Sequence, residues 1–391
     1  MTDLLRVRDL TARFDTEDGR VHAVESVSFT VEDGESFGLV GESGSGKSAT
    51  ALSIAGLLPA AGTITGGSLW FRAPELAATT GKHEVDGEFV DLTTLPASAR
   101  RSLRGTEIAM VFQDPMSSFD PSATVGTQIA KAVEVQQRAS ARPRSTRART
   151  EGYGLGSLLR DSLLPTRSFV SESSRERAIE LLERVGIPDP AKRAEQHPNE
   201  FSGGMLQRAM IAQAIAGEPR LLLADEPTTA LDVTIQAQIL SLLKEIQAET
   251  ALSVVMITHD LGVVAHHSDR VGVMYAGELV ERAPIDRLFD APVHPYTQGL
   301  LGAVPDLDTT VTPPASLSGR MIGLHADELP EGCYFADRCP KAMTDCQEHP
   351  EERPVDETER HTARCVLTDR AFDPDDALGG GTAQQMERDH Q

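Results

Sequence analysis

The stretch Ser36-Phe37-Gly38-Leu39-Val40-Gly41-Glu42-Ser43-Gly44-Ser45-Gly46-Lys47-Ser48-Ala49 decides how this chain is read. Ser36 to Val40 is a compact apolar run and reads as a strand, and a helix is expected from about Lys47 to Leu58. Between them, Gly41 to Ser48 matches the pattern G-x-x-x-x-G-K-[ST]. The pattern describes a loop that wraps phosphate groups. Glycine permits positive φ and lets the backbone come close to an anion. The loop N–H groups and the N-terminus of the following helix then point at the phosphates. Gly41, Ser43, Gly44, Gly46 and Ala49 are therefore expected to line the phosphates, with Lys47 bridging the β and γ groups and Ser48 ligating Mg²⁺.

Further along, Leu221-Leu222-Leu223-Ala224-Asp225-Glu226 is an apolar run ending in two carboxylates. Asp225 suits the Mg²⁺ shell. Glu226, one residue on, faces the other way and suits a base polarising the attacking water. Alone, such a strand end is ordinary; next to a phosphate loop it reads as half of a hydrolytic site. Short strands are expected at Leu4 to Leu10 and Ser26 to Val31, separated by Gly and Asp turns. Arg220 to Ala224 and Leu252 to Thr258 are apolar runs, each followed by a helix-like segment. This alternation predicts a mainly parallel α/β sheet with flanking helices.

With 391 residues the chain is long enough for two or three folding units. Lys+Arg is 37 and Asp+Glu is 59, a net charge of −22, which opposes non-specific binding to nucleic acid. The six lysines are Lys47, Lys82, Lys131, Lys192, Lys244 and Lys341. High acidity with few lysines fits a halophilic source, where salt screens self-repulsion; ordinary acidic drift gives the same composition. No apolar run approaches the ~20 residues of a membrane-spanning helix. Arginines between about 138 and 174, interleaved with Ser, Gly and Pro, read as a flexible, exposed insertion. Helix is expected again from Arg175 to Val185, with an apolar stripe of Ile179, Leu182 and Val185.

Phe201-Ser202-Gly203-Gly204-Met205-Leu206-Gln207-Arg208 resembles the signature motif of ABC ATPases, just upstream of the Asp-Glu strand as in that family. The resemblance implies that Ser202, Gly203 and Gly204 face the γ-phosphate of ATP bound by a partner cassette. The other marks follow in family order. Val111-Phe112-Gln113-Asp114 resembles the Q-loop, in which Gln113 senses Mg²⁺ and water. Thr229-Ala230-Leu231-Asp232 resembles the D-loop, and Ile257-Thr258-His259-Asp260 the switch-histidine motif. His259 would then hold the γ-phosphate and orient Glu226, and Phe14 is the candidate for stacking on adenine. The segment from about Glu200 to Glu281, with "HPYTQGLL" at His294 to Leu301, is similar to the ATPase subunits of oligopeptide, dipeptide and nickel importers. Leu206 stands where that pattern leads us to expect Arg, at a position expected on the helix surface.

The cysteines are Cys333, Cys339, Cys346 and Cys365, all near the C-terminus. Their spacing matches neither the common zinc modules nor the tight ferredoxin run. The region looks too poor in apolar residues to fold without help. The importer ATPases carry a similar cysteine pattern, in some members associated with a [4Fe–4S] cluster. The resemblance therefore favours [4Fe–4S] over Zn²⁺, which could use four Cys or three plus His349 or His361.

The expected architecture is an α/β ABC-type P-loop NTPase core with a mixed sheet at residues 1–302. A helical subdomain occupies about 113–218, a small loop-rich Cys-containing domain 303–370, and a disordered acidic tail 371–391. The resemblance implies ATP hydrolysis energising import of peptides or a related solute. It also implies a second ATPase subunit as heterodimer partner, two membrane permeases, a solute-binding protein, and a place on the cytoplasmic face of the membrane. A soluble non-transport ABC ATPase, or nickel or sugar cargo, is the alternative.

Overall fold

A computed structural model describes residues 2–78, 85–141, 170–229, 231–303, 322, 324–325, 329–356 and 360–369. The acidic tail and most of the Arg-rich insertion lie outside the described residues. In chain order the strands are β1 (Asp3–Thr16), β2 (Gly19–Glu32), β3 (Ser36–Val40), β4 (Gly62–Arg72), β5 (Val85–Asp86), β6 (Phe89–Asp91) and β7 (Ile108–Val111). They continue as β8 (Leu221–Asp225), β9 (Ser253–Thr258), β10 (Arg270–Tyr275), β11 (Glu278–Pro284), β12 (Arg353–Pro354) and β13 (Thr362–Ala363).

Eight strands form one sheet in the order β12-β13-β11-β10-β3-β9-β8-β7. From β10 to β7 the neighbours are parallel, and the β11, β13 and β12 pairings are antiparallel. Every residue of β3, β8 and β9 is buried, which accounts for their nearly unbroken apolar character: parallel strands are covered on both faces.

The other sheet, five-stranded in the order β2-β1-β4-β6-β5, is antiparallel throughout, and its two long strands correct the expectation of short strands in the N-terminal third. Asp9 lies inside the first expected strand, near its end at Leu10, and Ser26 stands at the expected start of the second. In the structure they sit at register shifts with φ of 48° and 49°, and pairing resumes beyond them. A bulge absorbs such a residue without ending the strand. Thus β1 and β2 each run 14 residues.

The helices Val125–Ala141, Glu172–Arg184 and Gly203–Ile215 share one apolar core with β7 and β8. Leu182 and Val185 of the expected stripe are buried there, and Ile179 packs against it half-buried. Leu206 is a correction. It is only 1 % exposed and belongs to this core, not to the helix surface. The helix Gly203–Ile215 is apolar around most of its circumference because neighbouring helices and β7 cover it on several sides.

Among its described residues, the C-terminal region builds no core of its own. Phe335 packs edge-on to Tyr275 and Tyr296, at 5.2 and 5.4 Å between ring centres. These rings share an apolar cluster with Val40, Val271 and Val273 of the large sheet. β13 adds to the edge of the same sheet through Glu281 and Arg282 of β11.

Candidate functional site

Parallel alignment brings the carboxyl ends of β7, β3, β8 and β9 to one side of the sheet. Val111 pairs with Ala224, Asp225 with Ile257, and Val40 with Thr258. The residues following these positions are Phe112-Gln113, Glu226, His259 and the loop from Gly41. Ligands of open α/β sheets bind at this end.

The loop itself is shaped by its glycines. Gly44 and Gly46 have φ of 81° and 104°. A Cβ on Gly46 would lie 2.3 Å from the Ala23 carbonyl oxygen, so only glycine fits. The helix Lys47–Ala55 begins directly after it with no side chain capping its first N–H groups. Unfilled donors at a helix start suit an anion. The exposed Ser43 and the half-buried Ala49 flank this opening. Lys47 Nζ donates to the carbonyl oxygens of Gly41 and Glu42 at 2.9 and 2.8 Å, so the ammonium is held inside its own loop. Burial pulls Lys47 below the ordinary lysine range, against the opposing pull of Glu226, Asp225 and Glu42.

Ser48 Oγ donates to Asp225 Oδ1 at 2.9 Å. Burial pushes the Asp225 carboxyl up, and the Ser48 hydrogen bond opposes it. Glu226 occupies the left-handed region, with φ of 46°, and its carboxylate is held from three directions. Gln113 Nε2 donates to Oε2 at 2.8 Å, Thr229 Oγ1 donates to Oε2 at 2.8 Å, and His259 Nδ1 lies 3.2 Å from Oε1. Burial alone would raise the Glu226 pKa; the Thr229 and His259 hydrogen bonds outweigh it and leave it lowered. The group is an ionised carboxylate at neutral pH.

Ser202 and Asp232 spend their side chains on their own helices. Ser202 Oγ accepts from the Met205 N–H at 3.4 Å, and Asp232 Oδ1 from the Ile235 N–H at 3.0 Å. Ser202 and Gly203 are exposed, and Gly204 lies against Ile235. Phe14 sits on β1, half-buried over Gly62.

Three contributors carried no role in the sequence reading. Thr229 enters the sequence only as the first residue of the D-loop-like stretch. The hydroxyl of Tyr296 accepts from the Glu42 N–H at 2.9 Å, and the Arg338 guanidinium grips the Glu42 carboxylate at 2.9 and 3.0 Å. The last pair is 296 positions apart, beyond the reach of any local pattern.

Burial raises the C-terminal thiols, Cys333 up to about 12 and Cys365 up to about 11. The Cys333 N–H donates to the Cys346 carbonyl oxygen at 2.9 Å, which sets these two residues side by side. Four thiols are a donor set suited to iron or zinc. Yet among the described residues no three Cys, His, Asp or Glu side chains stand where they could hold a metal together, so the arrangement does not fit an iron–sulfur cluster or zinc as it stands. Nor is any described helix long and apolar enough to cross a membrane.

Residues 24–229 match the family described as ABC transporter, and residues 280–346 match the oligopeptide/dipeptide transporter C-terminal region. The chain is 41 % identical over 371 residues to the dipeptide transport ATP-binding protein DppD of Bacillus subtilis, covering 95 % of this chain and 96 % of that one. It is 42 % identical over 344 residues to DppD of Escherichia coli, covering 88 % and 90 %. A solved bacterial ABC transporter cassette, in dimeric form, matches with a TM-score of 0.54 and 25 % identity over 72 % of this chain and 98 % of that chain. With its phosphate loop, its Ser48–Asp225 pair and its clamped Glu226, the chain belongs to the ABC transporter ATPases, in the branch that carries the oligopeptide/dipeptide transporter C-terminal region.

Proposed function

We propose that this chain is the ATP-hydrolysing subunit of a peptide importer, acting at the cytoplasmic face of the membrane. One observation carries the reading: a clamped, ionised carboxylate, Glu226, beside a phosphate loop whose Ser48 already meets Asp225. Ser48 and Asp225 supply two hard oxygen donors, and Gln113, hydrogen-bonded to Glu226, is the third residue assigned to the ion. That fits Mg²⁺, which takes few protein ligands and completes its shell with water and phosphate oxygens. When bound, the ion neutralises charge on the transferring phosphoryl group.

The chain's own residues do the rest. Phosphates entering the loop meet the N–H groups of the helix start and draw Lys47 Nζ away from the carbonyl oxygens it now satisfies. Glu226 orients the attacking water and takes up its proton, while Gln113, Thr229 and His259 hold that carboxylate in place. Ser202, Gly203 and Gly204 complete the site of a second cassette across a face-to-face dimer, and Asp232 lies at that interface. The second cassette is a different ATPase subunit. The pair drives two permeases fed by a solute-binding protein, with closure transmitted through the Gln113 region.

Glu226→Gln tests the assignment. It keeps the shape of the side chain and removes the proton acceptor. ATP binding is expected to survive and turnover to fall by roughly 10²–10⁴-fold. Hydrolysis at the wild-type rate by this variant, measured with the partner subunits present, would remove Glu226 from its role.

For the C-terminal thiols the favoured occupant is a [4Fe–4S] cluster acting as a staple, with zinc second. The soft donor set and the family resemblance are what support it; as they stand the four side chains hold no metal together, so binding would have to draw them closer, and no step of hydrolysis passes through it.

A further inference from the structure

Glu42 is the second residue of the phosphate loop, and each of its polar groups has a partner. Its N–H is taken by Tyr296 Oη at 2.9 Å, its carbonyl oxygen accepts from Lys47 Nζ at 2.8 Å, and its carboxylate takes both Nη atoms of Arg338. Arg338 lies in the cysteine segment, next to Cys339. Its side chain is 6 % exposed, so the pair is largely shielded on that side. The guanidinium also rests over the rings of Tyr275 and Phe335, at 5.6 and 5.8 Å from their centres. A bidentate, stacked arginine fixes geometry as well as charge. A carboxylate within a loop that must accept triphosphate is electrostatically adverse unless it is paired and held still.

We infer that Arg338 is a positioning residue of the nucleotide site: it clamps Glu42, and through Glu42 the loop and Lys47, so that the cysteine segment is a working part of ATP binding. The inference rests on the nucleotide reading of the loop. It assigns the C-terminal region a role in the site that its distance along the chain conceals. Removing Arg338 leaves an unpaired carboxylate beside the incoming phosphates and frees the loop at residue 42.

The test uses the full chain and a fluorescent N-methylanthraniloyl derivative of ATP with Mg²⁺. Arg338→Gln, which keeps much of the packing on Tyr275 and Phe335, is expected to weaken binding about tenfold, equivalent to about 1.4 kcal/mol. Arg338→Lys keeps the charge and should recover part of that loss. Combining Arg338→Gln with Glu42→Gln removes the unpaired carboxylate as well and should recover the part of the loss that comes from that charge. The deficit of the single variant should also shrink at high salt, as expected for a charge effect. A merely structural arginine gives a different pattern: the double variant stays as weak as the single one, and salt changes nothing. That pattern, or unaltered affinity in Arg338→Gln, overturns the inference. Lys47→Ala separates the two levels of the argument. If wild type binds no more nucleotide than Lys47→Ala, the nucleotide reading itself fails and the inference with it. If wild type binds and Arg338→Gln binds equally well, only the inference fails.

Discussion

Replacing Glu281 by alanine should detach the C-terminal strand from the large sheet without unfolding the rest of the chain. Glu281 on β11 is fully buried, and its carboxylate accepts three hydrogen bonds. They come from the N–H groups of Val293 and His294, at 2.8 and 2.9 Å, and from His361 Nε2 at 2.8 Å. His361 is itself 1 % exposed and directly precedes β13. Alanine would strand two backbone donors and one imidazole in the interior. Breaking a buried pair of this kind costs about 3–5 kcal/mol, and each orphaned donor carries a penalty of about 1–3 kcal/mol. These terms share one site and do not add, so we expect roughly 4 kcal/mol. Amide hydrogen exchange reads the effect locally. Protection at Thr362, Ala363 and Arg364, and at Val293 and His294, should fall by about 10³-fold, since 1.4 kcal/mol is one decade. Amides of the β1–β4 pairing, such as Val7 and Leu69, lie in the other sheet and should keep theirs. Unchanged protection around Thr362 would refute the idea that Glu281 is the anchor. Uniform loss across both sheets would refute the idea that the anchor is local.

The His294 imidazole predicts an acid-sensitive window. Burial holds its pKa down to about 4, against the upward pull of Glu281, while Nδ1 accepts from the Tyr296 N–H at 3.1 Å. The unfolded chain binds this proton near pH 6.5, so the contribution is complete above that pH and is lost as pH falls towards 4, by up to about 1.4 kcal/mol per unit. His294→Asn keeps an acceptor for the Tyr296 N–H but cannot titrate. Its urea-unfolding midpoints should decline less steeply than wild type between pH 6.5 and 4, and parallel profiles would contradict the assignment. For the thiols, anaerobic purification followed by metal analysis decides the occupant: about four iron and four sulfide per chain would establish that the side chains close around a cluster. One zinc without iron would keep the staple and exclude the cluster. Neither metal, with the exchange protection of β13 intact, would show that Phe335 and the Glu281 contacts suffice.

What the sequence determined by itself was the chemistry confined to short contiguous stretches. A phosphate loop must run from strand to helix within a few residues, so Gly41 to Ser48 announces both elements and their shared purpose. Leu221 to Glu226 does the same for a buried strand with a charged end. Periodicity also placed Leu182 and Val185 in the core, because a helix face is written at intervals of three and four.

Tertiary structure alone decided the rest, where the partners are far apart in the chain or where local punctuation misleads. Leu10 reads as a strand end and Ser26 as a strand start, but cross-strand pairing on both sides of the bulged residues Asp9 and Ser26 carries each strand further. Leu206 sits on a helix whose exposed side could not be known before its neighbours were packed around it. The cysteine segment reads as a poor domain of its own, because its support comes from Tyr275, Tyr296, Glu281 and Glu42. These lie tens to hundreds of residues upstream. A hydrogen bond between Arg338 and Glu42 leaves no trace in spacing. It exists because β10, β11 and β13 bring the cysteine segment alongside β3, the strand whose end carries the phosphate loop.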